Sequence, residues 1–197
     1  MNLPNKLTVV RIILVPVFIA FMIINPQSAF AWNRLAALLI FIIASVTDFA
    51  DGKIARKYNL ITDFGKFLDP LADKILVLSA LISLCFLAAN DTYGKLLLIS
   101  TIIVIFRELA VTSMRLVTAG KGVVVPANIY GKIKTVSQMF FIILSLAMPL
   151  FGLEQGSVGA SVLLIVQYAL MATMSIMTVI SGAIYMKSYS GYINPAK

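Results

Sequence analysis

Leu35-Ala-Ala-Leu-Leu-Ile-Phe-Ile-Ile-Ala-Ser-Val-Thr47 runs for 13 residues without a charge, then meets Asp48-Phe-Ala-Asp51-Gly52-Lys-Ile-Ala55-Arg56. A helix needs about 20 residues to cross the hydrocarbon of a bilayer. The apolar run alone is too short, so the helix has to continue through the acidic positions and place them at one end of a membrane span. The composition agrees. Of 197 residues, 60% are hydrophobic and 12% charged, with mean hydropathy +0.99. That is enough apolar sequence for roughly six spans of about 20 residues each. A soluble globular domain and a disordered chain are both excluded.

On either side of this stretch, the apolar runs break at charged or Gly/Pro-marked links and give spans near 7–26, 34–56, 69–90, 93–117, 131–152 and 158–187. The expected fold is all-α: one integral-membrane domain over 1–197 with six transmembrane helices. Lys6, Arg11 and the later Ala29-Phe30-Ala31 imitate a cleaved signal peptide, but we read the segment as a retained first span. Of the 16 basic residues, only Arg34 and Lys95 fall on one side, and the other fourteen share the opposite side. By the positive-inside rule both termini are cytoplasmic, in a multi-pass protein of the cell membrane. The net charge of +8 suits an anionic lipid surface. The basic residues hug span ends and form no separate basic domain, so nucleic acid is not an expected partner. Histidine is absent, which removes imidazole-bound zinc, Ser-His triads and His bases. The single cysteine, Cys85, lies in an apolar run and reads as packing.

Five of the eight acidic residues fall between 48 and 73. Asp48 and Asp51 are i,i+3 and share a helix face, which Gly52 and Ala55 continue. Asp69-Pro70 reads as a helix start, Asp69 as N-cap and Pro70 as first helical residue, with Asp73 one turn on. Asp63 reads as a solvated turn residue. A tight link would bring Asp48, Asp51, Asp69 and Asp73 together at the cytoplasmic edge. Four carboxylates beside hydrocarbon require counter-charge. An all-oxygen set without His or Cys suits two hard divalent ions, Mg²⁺ or Mn²⁺, and paired metals suit phosphoryl chemistry. Gly52 and Ala55 leave the helix face bare, Arg56 offers a bidentate diphosphate contact, and Thr62 and Gly65 lie in the link, able to face phosphate. The rival readings are interfacial ion pairs for Asp48 and Asp51, a helix–helix contact for Gly52 and Ala55, and a plain cap for Asp69.

With its spacing D-x2-D-G-x2-A-R-x8-G-x3-D-x3-D, this stretch resembles the signature of the CDP-alcohol phosphotransferase (phosphatidyltransferase) family. Asp48, Asp51, Gly52, Ala55, Arg56, Gly65, Asp69 and Asp73 match all eight positions. The likeness covers nearly the whole chain. Asn2-Leu3-Pro4-Asn5-x-Leu7-Thr8-x-x-Arg11, Phe106-Arg107-Glu108 and Gly131-Lys132-x-Lys134-Thr135 make it similar to members that use glycerol 3-phosphate. The resemblance implies six spans, a homodimer and a site open to the cytoplasmic leaflet. It implies that Asp48, Asp51 and Asp69 hold the metals with help from Asp73, and that Asp73 is the general base. It implies that Gly52, Ala55 and Arg56, with Asn5, Thr8, Asp51, Thr62 and Gly65, bind CDP-diacylglycerol. The implied reaction gives phosphatidylglycerophosphate and CMP.

Glycerol 3-phosphate is a dianion approaching a diphosphate, so its phosphate needs cations of its own. Arg107, Arg115, Lys132 and Lys134 read as the uncommitted ones near the cytoplasmic side. Arg107 and Arg115 are i,i+8 and face nearly the same way, and a cation as deep as Arg107 is functional by default. An ion pair of Arg107 with Glu108 is the alternative, as is topological anchoring for the two lysines. Inositol phosphate, inositol and serine are the other acceptors to weigh within the family. Outside it, a divalent-cation transporter is the rival class, although such proteins tend to carry internal repeats and none is visible here.

Overall fold

A computed structural model describes residues 2–24, 32–57, 62–88, 91–120, 128–154 and 156–190; the side chains of 3, 4, 49–57, 63, 64, 66, 67 and 190 lie outside that description. The described chain is all-helical: α1 (Leu3–Ile23), α2 (Trp32–Lys57), α3 (Asp63–Leu87), α4 (Thr92–Ala119), α5 (Ile129–Ala147) and α6 (Val158–Ser190), with a 3₁₀ turn at Met148–Phe151. Five of these helices are long and apolar enough to cross a membrane. The sixth, α2, carries described side chains only as far as Asp48. It nevertheless continues unbroken through the acids to Lys57, as the 13-residue run demanded.

Two three-helix groups make up the fold. α1 packs along α2 and α3, and α6 packs along α4 and α5; α3 against α4 and α2 against α5 join the halves. The shared core includes Phe18, Phe41, Leu76, Val104, Phe141 and Met174, with the Phe18 and Phe41 rings 6.3 Å apart. Cys85 is buried there beside the Thr101 hydroxyl, as its apolar setting predicts. Apolar side chains also face outward: Val158 is 82% exposed, Leu116 76% and Phe106 71%. Exposed apolar surface on that scale belongs against lipid.

One helix start differs from the expectation. α3 begins at Asp63, seven residues before Pro70. Asp69 is therefore inside the helix and is not its N-cap. Thr62 is the cap, accepting from the Gly65 N–H at 3.0 Å, which satisfies a donor that the first turn would leave unpaired. Pro70 costs the helix one backbone hydrogen bond, which a packed helix accommodates. Asp63 is likewise the first residue of α3, not part of a turn. Asp69 and Asp73 keep their i,i+4 relation.

Candidate active site

α1 presents Asn5, Thr8 and Arg11 at i, i+3 and i+6, one face of the helix, and all three are buried between α2 and α3. Each grips a residue of the signature stretch. The Arg11 guanidinium donates to Asp48 Oδ1 at 2.7 Å and to the Ala44 carbonyl at 3.2 Å. Thr8 Oγ1 donates to Asp69 Oδ1 at 2.6 Å. Asn5 and Thr62 bond reciprocally: Asn5 Nδ2 to Thr62 Oγ1 at 2.9 Å, and Thr62 Oγ1 to Asn5 Oδ1 at 3.1 Å. Asp48 lies within electrostatic reach of both Asp69 and Asp73.

Asp48 is half-buried and Asp73 exposed. Asp51, Gly52, Ala55 and Arg56 belong to α2, but their contacts lie outside the described residues. Among the described residues no three acidic side chains close on one point. The donor set itself, anionic oxygen throughout, has the chemistry of a hard-cation site.

At Gly65 the backbone of α3 lies close against Asn5 of α1. A Cβ there would stand 2.8 Å from Asn5 Oδ1 and 3.2 Å from Thr62 Oγ1. Gly65→Ala is expected to break the Asn5–Thr62 pair and to cost about 1–3 kcal/mol. Thermal unfolding of detergent-solubilised protein measures the loss, and a variant as stable as the native protein would show that Asn5 and Thr62 give way freely.

The second cluster joins α4, α5 and α6. The structure contains the ion pair of Arg107 with Glu108 that the sequence leaves as an alternative. Glu108 Oε1 accepts from Arg107 at 2.8 Å and from Lys134 at 2.7 Å, because two buried cations require a carboxylate. Arg115 donates to Tyr185 Oη at 3.0 Å. The Tyr185 ring lies 5.5 Å from the Arg107 guanidinium and 5.0 Å from that of Arg115, so both arginines do face one way. Tyr185 Oη also accepts the Asn128 backbone N–H at 3.1 Å, tying α6 to the start of α5. Lys132 is exposed. Two residues before Lys134, it lies about 200° round the helix, so it does not join the cluster. Three buried donors here lack partners among the described residues: Arg107 Nε, Asn128 Nδ2 and Gln138 Nε2. Unpaired buried donors are rare, and these three lie on α4, at the start of α5 and within α5.

A cavity of about 60 Å³ has Asp73 and Lys74 of α3, Glu108 of α4, and Lys134, Thr135 and Gln138 of α5 among its lining residues. A signature carboxylate and the Glu108–Lys134 pair thus line one cleft. The model of the CDP-alcohol phosphatidyltransferase family matches residues 1–185. The chain belongs to the CDP-alcohol phosphatidyltransferase family. Named relatives agree with this. A Bacillus subtilis protein named CDP-diacylglycerol–glycerol-3-phosphate 3-phosphatidyltransferase is 48% identical over 150 residues, 70% of this chain and 72% of its own. A Rickettsia felis protein of the same name is 39% identical over 191 residues, 97% of each chain. A Mycobacterium tuberculosis protein named probable phosphatidylglycerophosphate synthase is 40% identical over 168 residues, 84% of this chain and 77% of its own.

Several members of this candidate phosphatidyltransferase site are not visible as such in the sequence. Arg11 reads there as a positive-inside anchor, yet it is 1% exposed and paired with Asp48. The available signal is a charge set within an apolar span and in register with Asn5 and Thr8. Tyr185, near the end of the last span, is indistinguishable by pattern from an interfacial aromatic residue. Gln138 carries no sequence signal beyond a polar residue in an apolar run.

Proposed function

We propose that this enzyme transfers the phosphatidyl group of CDP-diacylglycerol to glycerol 3-phosphate, giving phosphatidylglycerophosphate and CMP. The observation that carries the reading is the cleft that Asp73 lines together with Lys134 and Glu108, the carboxylate that Lys134 shares with Arg107. The proposed donor side is the signature face: Gly52, Ala55, Arg56, Asn5, Thr8, Thr62 and Gly65 around the CDP-diphosphate. Asp48, Asp51 and Asp69, helped by Asp73, would hold two Mg²⁺ or Mn²⁺ ions. Such ions, when bound, neutralise phosphate oxygens and stabilise the departing CMP.

Asp73 takes the proton from the acceptor's terminal hydroxyl. That oxygen attacks the phosphatidyl phosphorus. A new P–O bond forms, the P–O bond to CMP breaks, and CMP departs with the electron pair. Lys134, Arg107 and Arg115 hold the acceptor phosphate, Glu108 keeping the first two ionised and aimed. Glu108 is the anion that offsets them in the free enzyme; the orphaned Arg107 Nε and Asn128 Nδ2 are donors that an incoming phosphate can satisfy. The proposed setting is the cell membrane, with six spans, cytoplasmic termini and the cleft open to the cytoplasmic side.

Acceptor competition tests this reading. Purified protein in detergent, given CDP-diacylglycerol, Mg²⁺ and equal glycerol 3-phosphate, inositol phosphate, inositol and serine, is expected to form phosphatidylglycerophosphate as its main lipid product. Preferential formation of another phosphatidyl product would overturn the acceptor assignment and keep the reaction class. CMP release that persists undiminished after metal removal would overturn the metal assignment.

A further inference from the structure

Gln138 stands one turn beyond Lys134 on α5, about 5–6 Å along the same face by i,i+4 spacing. It is 2% exposed, its Nε2 has no hydrogen-bond partner among the described residues, and it lines the cleft together with Asp73 and Lys134. A buried amide left unpaired is costly, and no described residue offsets that cost here.

Resting on the acceptor reading above, we infer that Gln138 is a specificity-determining residue that hydrogen-bonds the acceptor's central hydroxyl. With the terminal hydroxyl at Asp73 and the phosphate at Lys134, the central hydroxyl of a three-carbon acceptor lies in the cleft that Gln138 lines with them. A hydroxyl both donates and accepts, so either end of the amide serves it. The site then recognises a polyol phosphate and disfavours an acceptor without that hydroxyl, since its absence leaves the buried amide unpaired again.

The test compares glycerol 3-phosphate with 3-hydroxypropyl phosphate, which keeps the terminal hydroxyl and the phosphate but lacks the central hydroxyl. Each preparation supplies the ratio of the two kcat/KM values, so a reduced folded fraction cancels. The full-length native protein is expected to prefer glycerol 3-phosphate by about tenfold, the worth of one such hydrogen bond. In Gln138→Met, which keeps the bulk and removes the amide, the preference should fall to about twofold or less, through loss on glycerol 3-phosphate alone. Gln138→Ala supplies the same ratio where Gln138→Met does not accumulate. A preference retained in the variants overturns the inference, as does an equal loss on both substrates, which marks a packing role. A native enzyme that turns over glycerol 3-phosphate without preferring it overturns the role of Gln138 and leaves the function standing. A native enzyme inactive on glycerol 3-phosphate but active with another acceptor overturns the acceptor reading and this inference with it.

Discussion

Asp73→Asn is expected to lower CMP release by about 10²–10⁴-fold, the range for loss of a general base, while CDP-diacylglycerol binding stays within about threefold of native. The substitution keeps shape and removes the proton acceptor, while Asp48, Asp51 and Asp69 remain as the main metal ligands of the proposed site. The position of Asp73 suits a base: it is exposed, lines the cleft with Lys134, and lies one turn from Asp69, which Thr8 holds. Asp48→Asn provides the contrast. Asp48 is held by the buried Arg11 on α1, and its loss should lower bound metal and donor affinity together. Equilibrium binding of CDP-diacylglycerol, measured beside single-turnover CMP release, separates the two. Donor binding that falls as far in Asp73→Asn as in Asp48→Asn would make Asp73 a ligand first and place the base elsewhere.

Glu108→Gln is expected to give the largest loss of stability, about 3–5 kcal/mol, the usual cost of breaking a buried ion pair from one side. The Lys134 and Arg107 side chains are only 5% and 13% exposed, and one carboxylate oxygen serves both. Without it two cations face each other in a space water scarcely reaches. The double variant Glu108→Leu/Lys134→Met removes one cation with the anion and should recover most of the loss. Thermal unfolding of detergent-solubilised protein measures both. A single variant as stable as the native protein would mean that water or lipid already screens the pair.

The helices are legible in the sequence because bilayer thickness fixes their length: an apolar run of 13 residues before Asp48 cannot end there, and α2 does not. The relation between Asp69 and Asp73 is legible because it is local and helical whatever the start of α3. The start itself is not. Pro at a first helical position is a strong signal, but Thr62 with Gly65 supplies a complete cap upstream, and a capped helix continues through one proline. Contacts across large sequence separations are the least legible. Lys134 and Glu108 are 26 residues apart, Arg11 and Asp48 are 37 apart, and Arg115 and Tyr185 are 70 apart. Charge counting places these cations on one side of the membrane, but only packing shows which of them hold protein carboxylates.

The proposed mechanism turns on donor and acceptor occupying separate, facing halves of one site. The decisive measurement is the initial rate of CMP release with both substrates varied, in native protein, Arg115→Ala and Lys134→Met. Losing one charged hydrogen-bond contact in a desolvated site costs about 2–4 kcal/mol, or roughly 30- to 1,000-fold. A loss of that size is predicted in kcat/KM for glycerol 3-phosphate in each variant, with KM for CDP-diacylglycerol within about twofold of native. Equal losses toward both substrates, or native acceptor kinetics in both variants, would contradict the two-sided site.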